Sequence, residues 1–294
     1  MKSILKSNVK SFHLAGIIPV AGQKLDFNVP WHDALMPIAP NYLAVERCVV
    51  ECAYAGCETI WIVCNDDIEP LIRHRIGDYA QDPIWLERVN KSEKERKIPI
   101  FYIPIHPHDR NKRDSLGWSV VHGALTASSV SGSISKWTRP DRFYVSFPYG
   151  VYPVEQLAPL RRDISSNKGF ALSCGGRTIK DGAHLGFTFT FAESREIRKY
   201  VMREGTGVKK GNPMKKSSIT LPVEERYSAR HFSLDNIFKS VKIDIFSDVL
   251  FHYDIDSWEG YSRYLGSGDS LMISANPNIV SYREFNPIGE DSDA

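Results

Sequence analysis

Four apolar runs rich in β-branched residues, each followed by a segment with helical apolar spacing, constrain this chain more than any other feature. Ala15 to Val20 runs into Ala21-Gly22, which reads as a buried strand ending in a glycine turn. Val45, Cys48, Val49 and Cys52 then share one helix face, and Gly56 stands where a left-handed cap is wanted. Thr59 to Cys64 (TIWIVC) is a second strand, after which Asp66 or Asp67 caps a helix striped by Ile68, Leu71, Ile72, Ile76 and Tyr79. Ile98 to Ile105 is a third, followed by a polar loop and a helix carrying Trp118, Val121, Leu125 and Ser128. Phe143 to Phe147 is a fourth, with Leu157, Leu160 and Ile164 marking its helix. The alternation predicts an α/β, three-layer, Rossmann-like fold with a mostly parallel central sheet, strands 15–20, 59–64, 98–105 and 142–147 lying side by side.

The second half is less regular. His184 to Phe191 (HLGFTFTF) reads as strand, and residues 203–218, rich in Gly, Lys and Ser, as a loop or hairpin tip whose Lys209, Lys210, Lys215 and Lys216 make it basic. Ser233 caps a helix with Leu234, Ile237, Phe238 and Val241; Asp256 with Glu259 starts another, faced by Trp258, Tyr261 and Leu265. The formal charge of +2 from 37 basic and 35 acidic residues gives no global attraction to nucleic acid or anionic membranes. No run of about 18 apolar residues is present, so neither an export signal nor a membrane anchor is legible. Five cysteines, an odd number lying mostly in core segments, fit a reducing, cytoplasmic setting, and neither Cys64 nor Cys174 has a neighbouring histidine to activate it.

In an open α/β sheet ligands bind beyond the carboxyl ends of the strands. The residues there are Ala21-Gly22-Gln23-Lys24, Asn65-Asp66-Asp67, His106-Pro107-His108-Asp109-Arg110 and Pro148-Tyr149-Gly150. The histidines of the third loop lack a further anchored ligand, and a solvated loop is their simpler reading.

The ordered series IIPVAGQK (17–24), HDALMPIAP (32–40), AGCETIWIVCND (55–66), DSLGWSVVHGAL (114–125), FYVSF (143–147) and HYDIDSWEGYSRYL (252–265) resembles the sugar-phosphate nucleotidyltransferases, which make nucleoside-diphosphate sugars. The resemblance implies a nucleotidyltransferase-like domain over 15–265, with 195–232 an insertion or flexible loop, flanked by extensions 1–14 and 266–294, the latter with an acidic tail. It implies that a nucleoside triphosphate and a phosphorylated sugar, or similar small molecule, are the partners, with Mg2+ assisting transfer; membrane and nucleic acid are not among them. Its site residues carry over as Lys24 for catalysis, Ala21, Gly22, Gln23, Asn65, Gly117 and Trp118 for the nucleotide, and Asp254 and Asp256 for the metal. Trp118 also lies at core spacing in its helix, and Asp256 is equally explained as a helix cap.

Three positions depart from the family pattern. The glycine loop G-x-G-T-R becomes Gly22-Gln23-Lys24, without the second glycine or the arginine. The lysine of Pro-Lys-Pro-Leu-Leu-Pro becomes Asp33, a reversed charge facing the phosphate. The strand-end metal aspartate becomes Tyr149, a neutral phenol. Two functions follow: a divergent nucleotidyltransferase, or an inactive protein of the same fold with a binding, regulatory or assembly role and a protein partner.

Overall fold

The structure, a computed structural model, describes residues 12–22, 31–86, 96–110, 115–135, 138–204, 209–210, 219–220, 233–276 and 278–280. Strands β1 (Leu14–Pro19), β2 (Thr59–Val63), β3 (Tyr79–Gln81), β4 (Lys97–Ile103), β5 (Arg142–Val145), β6 (Phe170–Ser173), β7 (Phe187–Phe189) and β8 (Ile245–Asp248) form an eight-stranded sheet in the order β8-β6-β7-β5-β1-β2-β4-β3. The four strands expected from the apolar runs are its parallel centre: Ile17 of β1 lies between Trp61 of β2 and Val145 of β5, and Trp61 pairs in turn with Phe101 of β4. Strands β7 and β3 run antiparallel to β5 and β4, so the sheet is mixed.

Side chains alternate across the central strands, as a pleat requires. Leu14, Ile18, Ile60, Ile62 and Tyr144 pack on one face with helix α1 (Ala44–Ala55). Ala15, Ile17, Trp61, Val63, Phe143 and Val145 pack on the other with helix α3 (Leu116–Ile134). The strands read as continuous apolar runs because both faces are covered.

Several local expectations change. Helix α2 (Glu69–Ile76) stops at Gly77, and Tyr79 lies in the edge strand β3 rather than on the helix stripe. Neither Asp66 nor Asp67 caps it: the N-cap is Ile68, without a side-chain cap bond. The helix marked by Leu157, Leu160 and Ile164 is a 3-10 turn, Glu155–Leu160 with Pro159 inside it, followed by one helical turn at Arg161–Ile164. Only Phe187–Phe189 of the stretch 184–191 is strand, and Phe191 opens helix α4 (Phe191–Glu204). Helix α5 (Trp258–Leu265) is capped by Ser257, whose hydroxyl accepts from Gly260 N–H at 3.2 Å, not by Asp256. It turns Tyr261 and Tyr264 inward and leaves Trp258 and Leu265 58% and 50% exposed. The tyrosine hydroxyls explain the choice, since each donates at 2.6 Å to a carbonyl of 37–38. Among the described residues no helix is long and apolar enough to cross a membrane.

Candidate functional site

At the carboxyl end of β1 the chain turns back at once. Val20 and Ala21 both donate their N–H groups to the Val63 carbonyl, at 2.9 and 2.8 Å. Gly22 follows at φ +99°, and a Cβ there would lie 2.7 Å from the Ser115 backbone. Only glycine meets both the conformation and the close approach. Ser119 donates its hydroxyl to the Ala21 carbonyl at 2.5 Å, and Ser115 caps α3 by accepting from Trp118 N–H at 3.2 Å. The first turn is thereby clamped to the start of α3.

Gly117 and Trp118 serve that clamp from inside. A Cβ on Gly117 would lie 2.4 Å from the Ile237 side chain, and Trp118 is 4% exposed in an apolar cluster with Ala21, Leu116 and Tyr149. Gln23 and Lys24 lie outside the described residues, as do Lys215 and Lys216. Asn65 follows β2; its carbonyl accepts from Ile68 and Glu69, whereas its buried side-chain Oδ1 has no hydrogen bond.

At the end of β5, Tyr149 is 1% exposed and its hydroxyl has no hydrogen-bond partner. Burial, and after it the nearby Asp33 carboxylate, push the phenol pKa far above its ordinary value, so the group is a neutral donor. Asp33 is itself buried, at the start of a 3-10 turn, Asp33–Leu35, that His32 caps by accepting from Ala34 N–H. The two departures from the family pattern are thus near enough for the Asp33 charge to act on the Tyr149 phenol.

Asp254 belongs to a short strand that pairs with Gly150–Val151. A Cβ on Gly150 would fall 1.9 Å from the His184 carbonyl, so glycine is required where three segments meet. The Asp254 Oδ1 accepts from His184 N–H at 3.0 Å and from His184 Nδ1 at 2.9 Å. His252 Nε2 lies 3.3 Å away without hydrogen-bond alignment, and Arg177 is 3.6 Å from Oδ2. Burial alone would raise the Asp254 pKa, but the His184 hydrogen bond and both imidazoles bring it down to about 2. Burial lowers His252 to about 4, leaving it neutral near pH 7. Asp256 is half-buried two residues further on, with no cap role.

This donor set does not fit Mg2+. The ion asks for oxygens in near-octahedral array, mostly carboxylate, water and substrate phosphate. Here the strand end offers a phenol, and the Asp254 carboxylate is occupied by imidazole and faced by guanidinium. Among the described residues no group of three or more His, Cys, Asp or Glu side chains is arranged to hold a metal.

Behind the site lies a polar network that apolar spacing did not reveal. Arg47 and Glu51, both fully buried in α1, pair at 2.9 Å. Glu51 also accepts from the hydroxyls of Tyr144 at 2.6 Å, Tyr152 at 2.5 Å and Ser146. Arg47 donates to the Phe147 carbonyl at 2.7 Å, fixing the strand end two residues before Tyr149. Helix α1, expected to bury one face, is therefore buried on every side.

No protein-family model and no curated protein matches the sequence. Solved structures do resemble the fold. A protein from Bacillus anthracis described as a glucose-1-phosphate thymidylyltransferase, in complex with a sucrose, superposes with a TM-score of 0.52 at 10% identity, over 90% of this chain and 96% of that one. A UDP-glucose pyrophosphorylase complexed with UDP-glucose gives 0.49 at 13% identity over 86% and 97%, and another from Acinetobacter baumannii 0.48 at 12% over 86% and 92%. The architecture is that of the nucleotide-diphospho-sugar transferases, carried by a sequence far from theirs.

Proposed function

We propose that this chain keeps the ligand crevice of the nucleotidyltransferase fold and has given up metal-assisted nucleotidyl transfer, acting as a binding, regulatory or assembly protein. The observation that carries this reading is that Asp33 and Tyr149, both buried and near enough for the Asp33 charge to act on the phenol, stand where the resemblance calls for a lysine and a metal-holding aspartate. Nucleotidyl transfer gathers negative charge on the reacting phosphate, and a buried carboxylate opposes it. Single electrostatic groups are worth about 3–4 kcal/mol, so two losses amount to about 6–8 kcal/mol, or a rate factor of about 10^5. The clamped glycine turn supports retention of the crevice, because it survives independently of the altered charges.

A second reading, transfer of a nucleotidyl group to a sugar phosphate, is favoured by that same turn, with Lys24 supplying the positive charge. Calorimetry with the four ribonucleoside triphosphates and UDP-glucose, with and without Mg2+, separates the outcomes when run beside an assay for released pyrophosphate. Binding heat without pyrophosphate is expected. Absence of heat with every nucleotide removes the binding role, and sustained pyrophosphate release removes the loss of transfer.

A further inference from the structure

We propose that the open edge of the sheet, strand β8 with the groove beside it, docks an extended segment of a partner protein in which apolar side chains alternate about a lysine or arginine. The inference deepens the assembly role proposed above by naming the partner's chemistry, and it places that partner outside the crevice. Strand β8 lies four strand spacings from β1, about 19 Å. Among the described residues it pairs with β6 alone. Ile245 and Val249 donate their N–H groups to the Gly169 and Ser173 carbonyls, at 2.9 and 2.8 Å, so the odd-numbered residues face β6. The peptide groups of Phe246 and Asp248 therefore point the other way, as the two-residue period of a strand requires. Leu250 shows what this side takes: its N–H donates to Gln156 Oε1 at 3.2 Å. Donors and acceptors directed and spaced in this manner are a template for another strand.

The side chains decide which strand. Beside the edge, a cavity of about 610 Å3 opens against the 3-10 turn Glu155–Leu160, walled by Leu157, Leu160, Leu172, Val249 and Leu250, and Asp248 is its one charged lining residue. On the other face of the sheet Phe246 is 55% exposed beside Ala171. A strand laid along β8 thus meets apolar surface with both sets of its alternating side chains. Asp248 shares the Phe246 face two residues on, and its Oδ1 is held at the edge by the Ser173 hydroxyl at 2.6 Å. The complement is an apolar residue opposite Phe246, a cation opposite Asp248 and apolar residues between and beyond them. A second copy of this chain is a poorer complement. Two-fold antiparallel registers centred on Phe246 or on Asp248 set Asp244 against Asp248 or Asp248 against itself, and the register centred on Ser247 sets Phe246 against a carboxylate. The charges that discourage self-pairing suit a basic partner.

The test uses the full chain and an amidated, fluorescein-labelled peptide of sequence Thr-Leu-Lys-Leu-Val-Leu-Thr, whose Lys and Val match Asp248 and Phe246 in an antiparallel pair. Expected is saturable binding by fluorescence anisotropy, weakened about tenfold or more when the backbone nitrogens of Lys and Val are methylated. Replacing the peptide's Lys by Glu should weaken it at least about threefold, and Asp248→Lys should reverse that preference in favour of the Glu peptide. The modified peptides leave the protein untouched, so the test stands even where thermal unfolding shows Asp248→Lys to be misfolded. No saturable binding, equal affinity of the methylated peptide, or an unchanged charge preference in folded Asp248→Lys each overturns the proposal. Sedimentation of the chain alone adds one further outcome. A dimer that dissociates in Phe246→Pro, a change that removes an outward N–H and spares the β6 ladder, would mean that a second copy fills the edge, and overturns it too. Nucleotide calorimetry reads the crevice by itself, so failure here removes this partner and leaves the reading of the crevice standing.

Discussion

His184 donates to Asp254 twice, from its backbone N–H at 3.0 Å and from ring Nδ1 at 2.9 Å, and both bonds end on the same oxygen. With a carboxylate as acceptor the proton sits on Nδ1, which fixes the tautomer. The bonds join residues 70 apart in sequence and close the strand end around Gly150.

That arrangement makes stability fall in acid in two windows. His252, lowered from 6.5 to about 4, is buried neutral; the stability this confers is full above the unfolded value and declines as pH falls from there toward about 4. Asp254, lowered from 3.8 to about 2, contributes stability above 3.8 that is lost as pH drops to about 2. Urea unfolding from pH 7 to 2.5 should show both, with about 3 kcal/mol attached to His252 and about 2 kcal/mol to Asp254. His252→Asn should flatten the upper window and Asp254→Asn the lower. Unchanged pH profiles in both variants would contradict the assignment.

The Arg47–Glu51 pair should behave as a buried ion pair. Arg47→Met leaves Glu51 with its three hydroxyl donors but no cation, at a cost of about 3–5 kcal/mol. Arg47→Met with Glu51→Gln together should cost less than Arg47→Met alone, since no unpaired charge remains. Denaturant unfolding of the cycle measures this, and simple additivity of the two changes would argue against coupling.

How much was legible follows from where each residue's partners lie. Thr59–Val63 and the α1 face were readable because apolar alternation and helical spacing are local. Arg47 and Glu51 look like ordinary solvent-facing charges, and only contacts about 100 residues away, to Ser146, Phe147 and Tyr152, account for their burial. His184 sat unremarked inside a strand-like run for the same reason, its partner being Asp254. Trp258 and Leu265 misled because two tyrosines, carrying hydroxyls that reach the carbonyls of 37–38, win the inward positions. The altered charges at Asp33 and Tyr149 were visible in the sequence; the burial of both side chains and the electrostatic influence of one on the other were not.

Glycine at position 22 should be far less replaceable than glycine at 175. Both have positive φ, 99° and 56°, but an added Cβ at 22 meets the Ser115 backbone, whereas at 175 it meets nothing within 4 Å. Gly22→Ala should lower stability by more than the roughly 1 kcal/mol expected of Gly175→Ala from backbone conformation alone. Equal thermal shifts in the two variants would mean that the turn is not clamped as described.

Of the five free cysteines, only Cys174 is not fully buried. Burial raises the thiols of Cys48 and Cys64 to about 11 and about 12, further suppressing their reactivity. A disulfide reagent at neutral pH should modify Cys174 first in the native protein and the other four on unfolding. Fast reaction of several thiols in the native state, mapped by mass spectrometry, would contradict the packing around α1.

The central claim is that a carboxylate at Asp33 and a neutral phenol at Tyr149 have removed transfer from an intact scaffold. It is tested most directly by exchange of labelled pyrophosphate into nucleoside triphosphate, measured with sugar phosphates and Mg2+ for the parent, Asp33→Lys, Tyr149→Asp and the double variant. No exchange is expected in the parent, with the double variant gaining more than the two single variants combined, because both changes act on one developing charge. Vigorous exchange in the parent, abolished by Asp33→Ala or Tyr149→Phe, would contradict the claim and make those two side chains parts of a working, rearranged site.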